Sequence, residues 1–385
     1  MSTDHSRSHV KPLLPLFLGL ILAILFLDYE TSQIDPNDQL EEFALGEETS
    51  IYRAMYDRSH IQCMTPNDGD LCIEAYKESY YQKDLVLWLG NSQLHAINQM
   101  SQGDINAVEI LHHSLRSENQ YLMAFSYPNA SLQQHYVTFE YLAHQLPIKT
   151  LVLPVVFDDM RETGVGNDFS SAFETREVVK SLSNTKIGES LVENSSFQDS
   201  AGNEMLALHQ TVQERSEKYL NEALAIEWNI WAKRPELRGE IIKRLYRLRN
   251  TVFGINASSV RNKIPGRYFL NIKALTAILA SSKEKNINVL IYIVPLRSDV
   301  KTPYNIKDYA DFKEEIEFIA LSNNAMFADL ESVVPSEEWG RKDVTGLGEG
   351  TELDFMHFQA AGHERLAKAI GIKLAMEGED INSAL

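Results

Sequence analysis

Three side chains in this sequence have the types needed to attack an acyl carbonyl and pass a proton: Ser92, Asp354 and His357. Ser92 follows the apolar run Leu85-Val86-Leu87-Trp88-Leu89 and the pair Gly90-Asn91, so it is expected where a central strand turns into a helix. A serine there has its hydroxyl at the carboxyl edge of the sheet, where α/β sites form. Its own N–H, at a helix start, can face a developing oxyanion. The plainer alternative is an ordinary helix cap, the commoner role of such serines. Asp354 and His357 stand three residues apart, just before the amphipathic stretch Glu-Arg-Leu-Ala-Lys-Ala-Ile-Gly-Ile-Lys-Leu-Ala-Met at 364–376. On a loop or first helical turn, that spacing lets the carboxylate take the imidazole Nδ1–H and leaves Nε2 facing elsewhere. A histidine so held is a general base for a serine hydroxyl, and the carboxylate stabilises the imidazolium. Standing alone, the pair reads as an Asp cap with an incidental histidine.

Ser92 and Asp354 are 262 residues apart, so only a tertiary fold can join them. Runs that are apolar at every position suit central parallel strands covered on both faces. Residues 85–89 form such a run, later candidate strands fall at 121–125, 150–156, 288–294 and 325–329, and helical stretches such as 132–144 and 311–321 separate most of them. Strand and helix in alternation predict a parallel sheet wrapped by helices. A helix is expected directly after Ser92, over 93–102. The alternation breaks between about 167 and 266. There, 181–202 is rich in Ser, Asn and Gly and reads as a loop, and 203–250 is strongly helical, divided at Pro235. The second of those helices is basic from Arg238 to Arg249. That face could meet an anionic lipid, a polymer or a membrane enzyme, but a solvated helix face is the commoner explanation.

Taken together, Gly-Asn-Ser after the first core strand and Asp-x-x-His-Phe with a following Gly-His before the last helix resemble the SGNH/GDSL hydrolase superfamily. The resemblance covers roughly 83–376, apart from the insertion. It implies an α/β, flavodoxin-like (SGNH) three-layer α/β/α fold with a parallel five-stranded sheet and a helical insertion between the third and fourth core strands. It also implies Ser92 as nucleophile, His357 as base and Asp354 as orienting acid, with no cofactor. Where the family offers a glycine N–H to the oxyanion, this chain has Asn129, which tolerates the left-handed backbone better than most residues. Where the family supplies an Asn side chain, this chain has Asp158-Asp159-Met160-Arg161. A carboxylate there would repel an oxyanion unless protonated or paired with Arg161. Arg297, following the fourth core strand, is a candidate for an anionic substrate group or for a structural ion pair. The glycine-rich stretch 345–351 runs into Asp354 and reads as a flexible loop or a flap.

Composition sets the context. The chain has 385 residues, 36 basic against 54 acidic side chains and a net charge of −18. Nucleic acid is therefore not an expected main partner, because phosphate binding needs clustered Lys and Arg. Residues 1–11 carry His5, Arg7, His9 and Lys11, Pro12 to Leu27 is uninterruptedly apolar, and Asp28 and Glu30 follow. A positive flank before an acidic one predicts a cytoplasmic tail at 1–11, a transmembrane signal anchor at 12–28 and an exported remainder. Sixteen helical residues span about 24 Å, short of the ~30 Å hydrocarbon core, which leaves a cleaved signal peptide as the other reading. The absence of a small-x-small cleavage site favours the anchor. Residues 29–82 are expected as a stalk and lead-in, and 83–385 as the SGNH-like domain with its insertion at about 167–266. Cys63 and Cys72 are the only cysteines. Outside the cytoplasm they should pair, a closure worth about 2.5 kcal/mol in the chain-entropy model. No Cys or His set stands at metal-ligand spacing.

The layout is similar to membrane-anchored branches of the superfamily that acylate or deacylate envelope polymers, including the D-alanyl-transfer proteins of teichoic-acid synthesis. It implies an envelope polysaccharide or glycolipid substrate, with a multi-pass membrane acyltransferase as a partner. The rival expectation is a catalytically inactive SGNH-like module that binds glycan or scaffolds an envelope complex.

Overall fold

The computed structural model describes residues 53–80, 83–95, 100–101, 103–196, 260–343 and 351–383. The expected tail, the expected anchor 12–28, the expected helices of 203–250 with Arg238 to Arg249, and most of the glycine-rich stretch lie outside them. Among the described residues no helix is long and apolar enough to cross a membrane.

The chain enters through a short antiparallel ribbon, β1 (Met55–Tyr56) with β2 (Ser59–His60), then β3 (Gln62–Cys63) and α1 (Pro66–Tyr80). The core alternates as expected: β4 (Asp84–Gly90), α2 (Ala107–Arg116), β5 (Gln120–Ser126), α3 (Leu132–Gln145) and β6 (Ile148–Val155). Three shorter helices follow, α4 (Ser170–Glu174), α5 (Arg176–Leu182) and α6 (Lys186–Ser196). The core resumes with α7 (Pro265–Glu284), β7 (Asn288–Ile293), α8 (Ile306–Ser322) and β8 (Met326–Asp329). An antiparallel hairpin, β9 (Trp339–Asp343) with β10 (Thr351–Phe358), leads into α9 (Ala360–Ser383).

The main sheet runs β3-β5-β4-β6-β7-β8, parallel throughout. Its five long-range strands have the flavodoxin-like order, reversing direction at β4. Right-handed crossovers in opposite directions place helices on opposite faces. Accordingly α2 packs with α9, and α3 packs with α7. Leu85 to Leu89 and Leu151 to Leu153 are fully buried, as strands covered on both faces require.

Four expectations need correction. The sheet has six strands, not five, because Gln62 and Cys63 pair with Ala124 and Phe125 at its edge; two residues, one of them polar, carry no strand signal. Where a helix was expected over 93–102, the described part is a short 3₁₀ turn, Ser92–His95, 96–99 and 102 lie outside the described residues, and the next described helix begins at Ala107. Asp354 and His357 stand on β10 rather than on a loop. Finally, 181–202 is not simply a loop, since α6 runs through it with Ile187 and Leu191 buried one turn apart. The disulfide Cys63–Cys72 is present and fastens β3 to α1, with Cα atoms 6.3 Å apart.

Candidate active site

The nucleophile candidate is built on a tight corner. A Cβ at residue 90 would collide with the Leu94 side chain and come within 3.1 Å of the Ser126 Cβ, so only glycine fits there. Asn91 then folds the turn: its Oδ1 accepts the Gln93 N–H (3.1 Å), and its carbonyl accepts the Leu94 N–H (3.1 Å). Gln93 Nε2 donates to the Pro295 carbonyl (2.9 Å), tying the turn to the end of β7. Ser92 opens this turn and is half-buried.

The base candidate arrives from the hairpin. Asp354 is 3% exposed; its Oδ1 accepts the backbone N–H of Met356 (2.9 Å) and of His357 (3.2 Å). Its Oδ2 lies 2.7 Å from His357 Nδ1. A carboxylate on Nδ1 fixes the tautomer with the proton there and leaves the Nε2 lone pair free to take one. His357 Nε2 is buried and has no hydrogen-bond partner. Strand β10 lies against the Ser92–His95 turn. The structure thus joins Asp354 to His357 and brings their strand to Ser92, but the Ser92–His357 hydrogen bond itself is not formed.

The remaining candidates divide. Asn129 adopts the left-handed conformation (φ 56°) in the loop after β5, as its residue type allows, and is exposed. Asp158 is engaged by Arg161 (3.5 Å), by Arg261 through a short ion pair, and by the Tyr304 hydroxyl (3.2 Å). Its charge is therefore compensated. Asp159, its neighbour, accepts from Asn91 Nδ2 at 3.0 Å. Burial pushes the Asp159 carboxyl well above the usual range, against the opposing effect of the Asn91 hydrogen bond. Arg297 is 8% exposed, with its Nε and Nη2 on Asp299 (2.6 and 3.1 Å) and its Nη1 on the carbonyls of Gly340 (2.8 Å) and Asp354 (3.3 Å). It fastens the hairpin, the structural one of its two expected roles.

Sequence reasoning missed a layer of buried polar groups behind the turn, Gln62, His95, Asn106 and Ser126, which His363 of the Gly-His pair joins. Asn106 was findable, because Asn before Ala107 with Glu109 three residues on is a helix-start pattern, and its Oδ1 does accept the Glu109 N–H. His95 donates Nε2–H to the Ser126 carbonyl (2.8 Å), while burial lowers its pKa to about 4. His363 accepts the Ala107 N–H at Nδ1 (3.3 Å) and is likewise pushed down to about 3 by burial. Both are neutral near pH 7. Gly166-Asn167-Asp168, distant in sequence from β6, returns to the loop after β5, where Asp168 accepts the Tyr127 hydroxyl at 2.9 Å.

The strand order is flavodoxin-like, with a serine on the first corner of the sheet and an Asp–His pair on the strand before the last helix. No family model and no curated protein matches the chain. Among solved structures it is similar to an acetylxylan esterase from Geobacillus stearothermophilus, at 9% identity and a TM-score of 0.36, covering 76% of this chain and 95% of that one. It is similar to a candidate acylhydrolase from Bacteroides fragilis, at 10% identity and 0.34, covering 80% and 96%. A third likeness, to a candidate GDSL-like lipase from Parabacteroides merdae, has 10% identity and 0.34 over 75% and 94%. At these identities and TM-scores the likenesses say nothing of this chain's chemistry.

Proposed function

We propose that the chain is an exported, membrane-anchored SGNH-type serine esterase or O-acyltransferase that acts on envelope polysaccharide or glycolipid through an acyl-enzyme on Ser92. The observation that carries the chemistry is the 2.7 Å Asp354–His357 contact, with the unpartnered Nε2 on a strand lying against the Ser92 turn. Ser92 Oγ attacks the acyl carbonyl and its proton passes to His357 Nε2, while Asp354 stabilises the imidazolium. The tetrahedral oxyanion is met by backbone N–H groups, for which the Asn129 loop and the start of the Ser92 turn are the candidates. Collapse returns the proton from Nε2 to the departing alkoxide and leaves acyl-Ser92. Water or a sugar hydroxyl, deprotonated by the same Nε2, then releases the acyl group.

Anchoring and export rest on the apolar run 12–27 and its charge flanks, and the disulfide is of the kind found outside the cytoplasm. An envelope polymer as substrate, and a multi-pass acyltransferase as partner, follow from tethering and from the resemblance. The test is hydrolysis of an aryl acetate, and of an acetylated polysaccharide, by the wild-type chain and by Ser92→Ala. The proposal expects turnover of both by the former and background rates for the latter. A second reading, a glycan-binding module without turnover, is favoured by one observation: Ser92 and His357 are not hydrogen-bonded. Polysaccharide binding with no ester turnover, and with Ser92→Ala binding like wild type, would establish that reading instead.

A further inference from the structure

Gln62 is 1% exposed, and its amide is fully satisfied by four partners drawn from four segments. Its Oε1 accepts the Ala54 N–H (3.0 Å) and Asn106 Nδ2 (2.8 Å); its Nε2 donates to the Leu94 carbonyl (3.1 Å) and to Ser126 Oγ (2.8 Å). That is the whole bonding capacity of a side-chain amide. The two Nε2 bonds join the Ser92 turn to the end of the strand that leads into the Asn129 loop. Leu94 belongs to the Ser92 turn, and Ser126 is the last residue of β5, directly before the loop that carries Asn129. Asn106 Nδ2 reinforces the same point by reaching the Leu94 carbonyl as well (3.2 Å). The strand bearing Gln62 is only two residues long, yet it is fixed by the Ala124 N–H to Ile61 carbonyl bond (2.8 Å) and by the adjacent Cys63–Cys72 bridge.

We infer that Gln62 is a positioning residue: from the disulfide-fastened edge strand it sets the spacing between the Ser92 turn and the Asn129 loop. The inference rests on the serine chemistry proposed above. A buried amide saturated by both sides resists displacement of either, because moving one leaves a buried donor without an acceptor. Oxyanion stabilisation depends on such spacing, and a shift of about 1 Å can cost on the order of a hundredfold in rate.

The test compares wild type with Gln62→Met, which keeps the volume and removes all four hydrogen bonds. Asn106→Ser keeps a helix cap but loses the amide, so it serves as the test if the first variant does not fold. Three readouts are taken: kcat and KM on a neutral aryl acetate, the fluorophosphonate labelling rate, and hydrogen exchange of the 93–95 amides. The inference expects kcat and labelling to fall about tenfold or more in Gln62→Met, and severalfold in Asn106→Ser, with KM within about twofold. It also expects faster local exchange at 93–95 without faster exchange in β6. Unchanged kcat and labelling in a folded variant overturn it, as does unchanged local exchange. If the wild type neither labels nor turns over, the serine chemistry has failed, and the exchange measurement still decides whether Gln62 holds the turn.

Discussion

The two halves of the candidate site are built differently. Ser92 leaves a strand at the centre of a six-stranded sheet, and a network of buried side chains from four segments fixes its turn. Asp354 and His357 stand on a two-stranded hairpin outside that sheet, fastened by Arg297 and followed by α9. The candidate nucleophile is therefore positioned by the core, and the candidate base by an attachment to it. The Asp–His contact lies within the hairpin strand, whereas a Ser–His contact would have to cross from hairpin to sheet and is not formed.

Breaking the delivered half should give the largest effects. His357→Ala removes the proton acceptor and is expected to lower kcat about 10⁴-fold or more, read as aryl acetate turnover. Asp354→Asn keeps the shape but favours the wrong imidazole tautomer, so a loss of about 10³-fold or more is expected, with the fold retained by circular dichroism. Arg297→Met strips the donor from the Gly340 and Asp354 carbonyls. We expect tenfold or more lost in kcat and about 2 kcal/mol in stability, measured by urea unfolding.

The core half should respond in stability as much as in rate. Gly90→Ala, forced against Leu94 and Ser126, is expected to cost about 1–3 kcal/mol in the same unfolding assay. The pH dependence sharpens the contrast. His95 and His363 have folded pKa values of about 4 and about 3, below the unfolded value of 6.5. The folded state resists protonating them, so their stabilising contribution is whole above pH 6.5 and is lost as pH falls toward 4 and below. Unfolding midpoints between pH 7 and 4 should show this loss, and a flat profile would contradict the buried, neutral state of both histidines.

What was legible in the sequence follows the same division. The five long-range strands were readable because each is largely apolar, and Ser92 because it follows the first of them. Cys63 and Cys72 were readable as a pair because no other cysteine exists. The edge strand Gln62–Cys63 was not, since its place comes from pairing with β5 rather than from its own pattern. The β10 strand was hidden because its mixed polar and apolar residues also suit a loop leading into a helix. The Gln62, Asn106 and His95 network has no local signature: its members gain meaning only when four segments meet.

The most direct measurement is the site of covalent capture. Peptide mass spectrometry of fluorophosphonate-treated protein should find one adduct, on the peptide containing Ser92, and should find it strongly diminished in His357→Ala. No adduct on Ser92, or an equally rapid one in His357→Ala, would contradict the claim that the hairpin's histidine activates the core's serine.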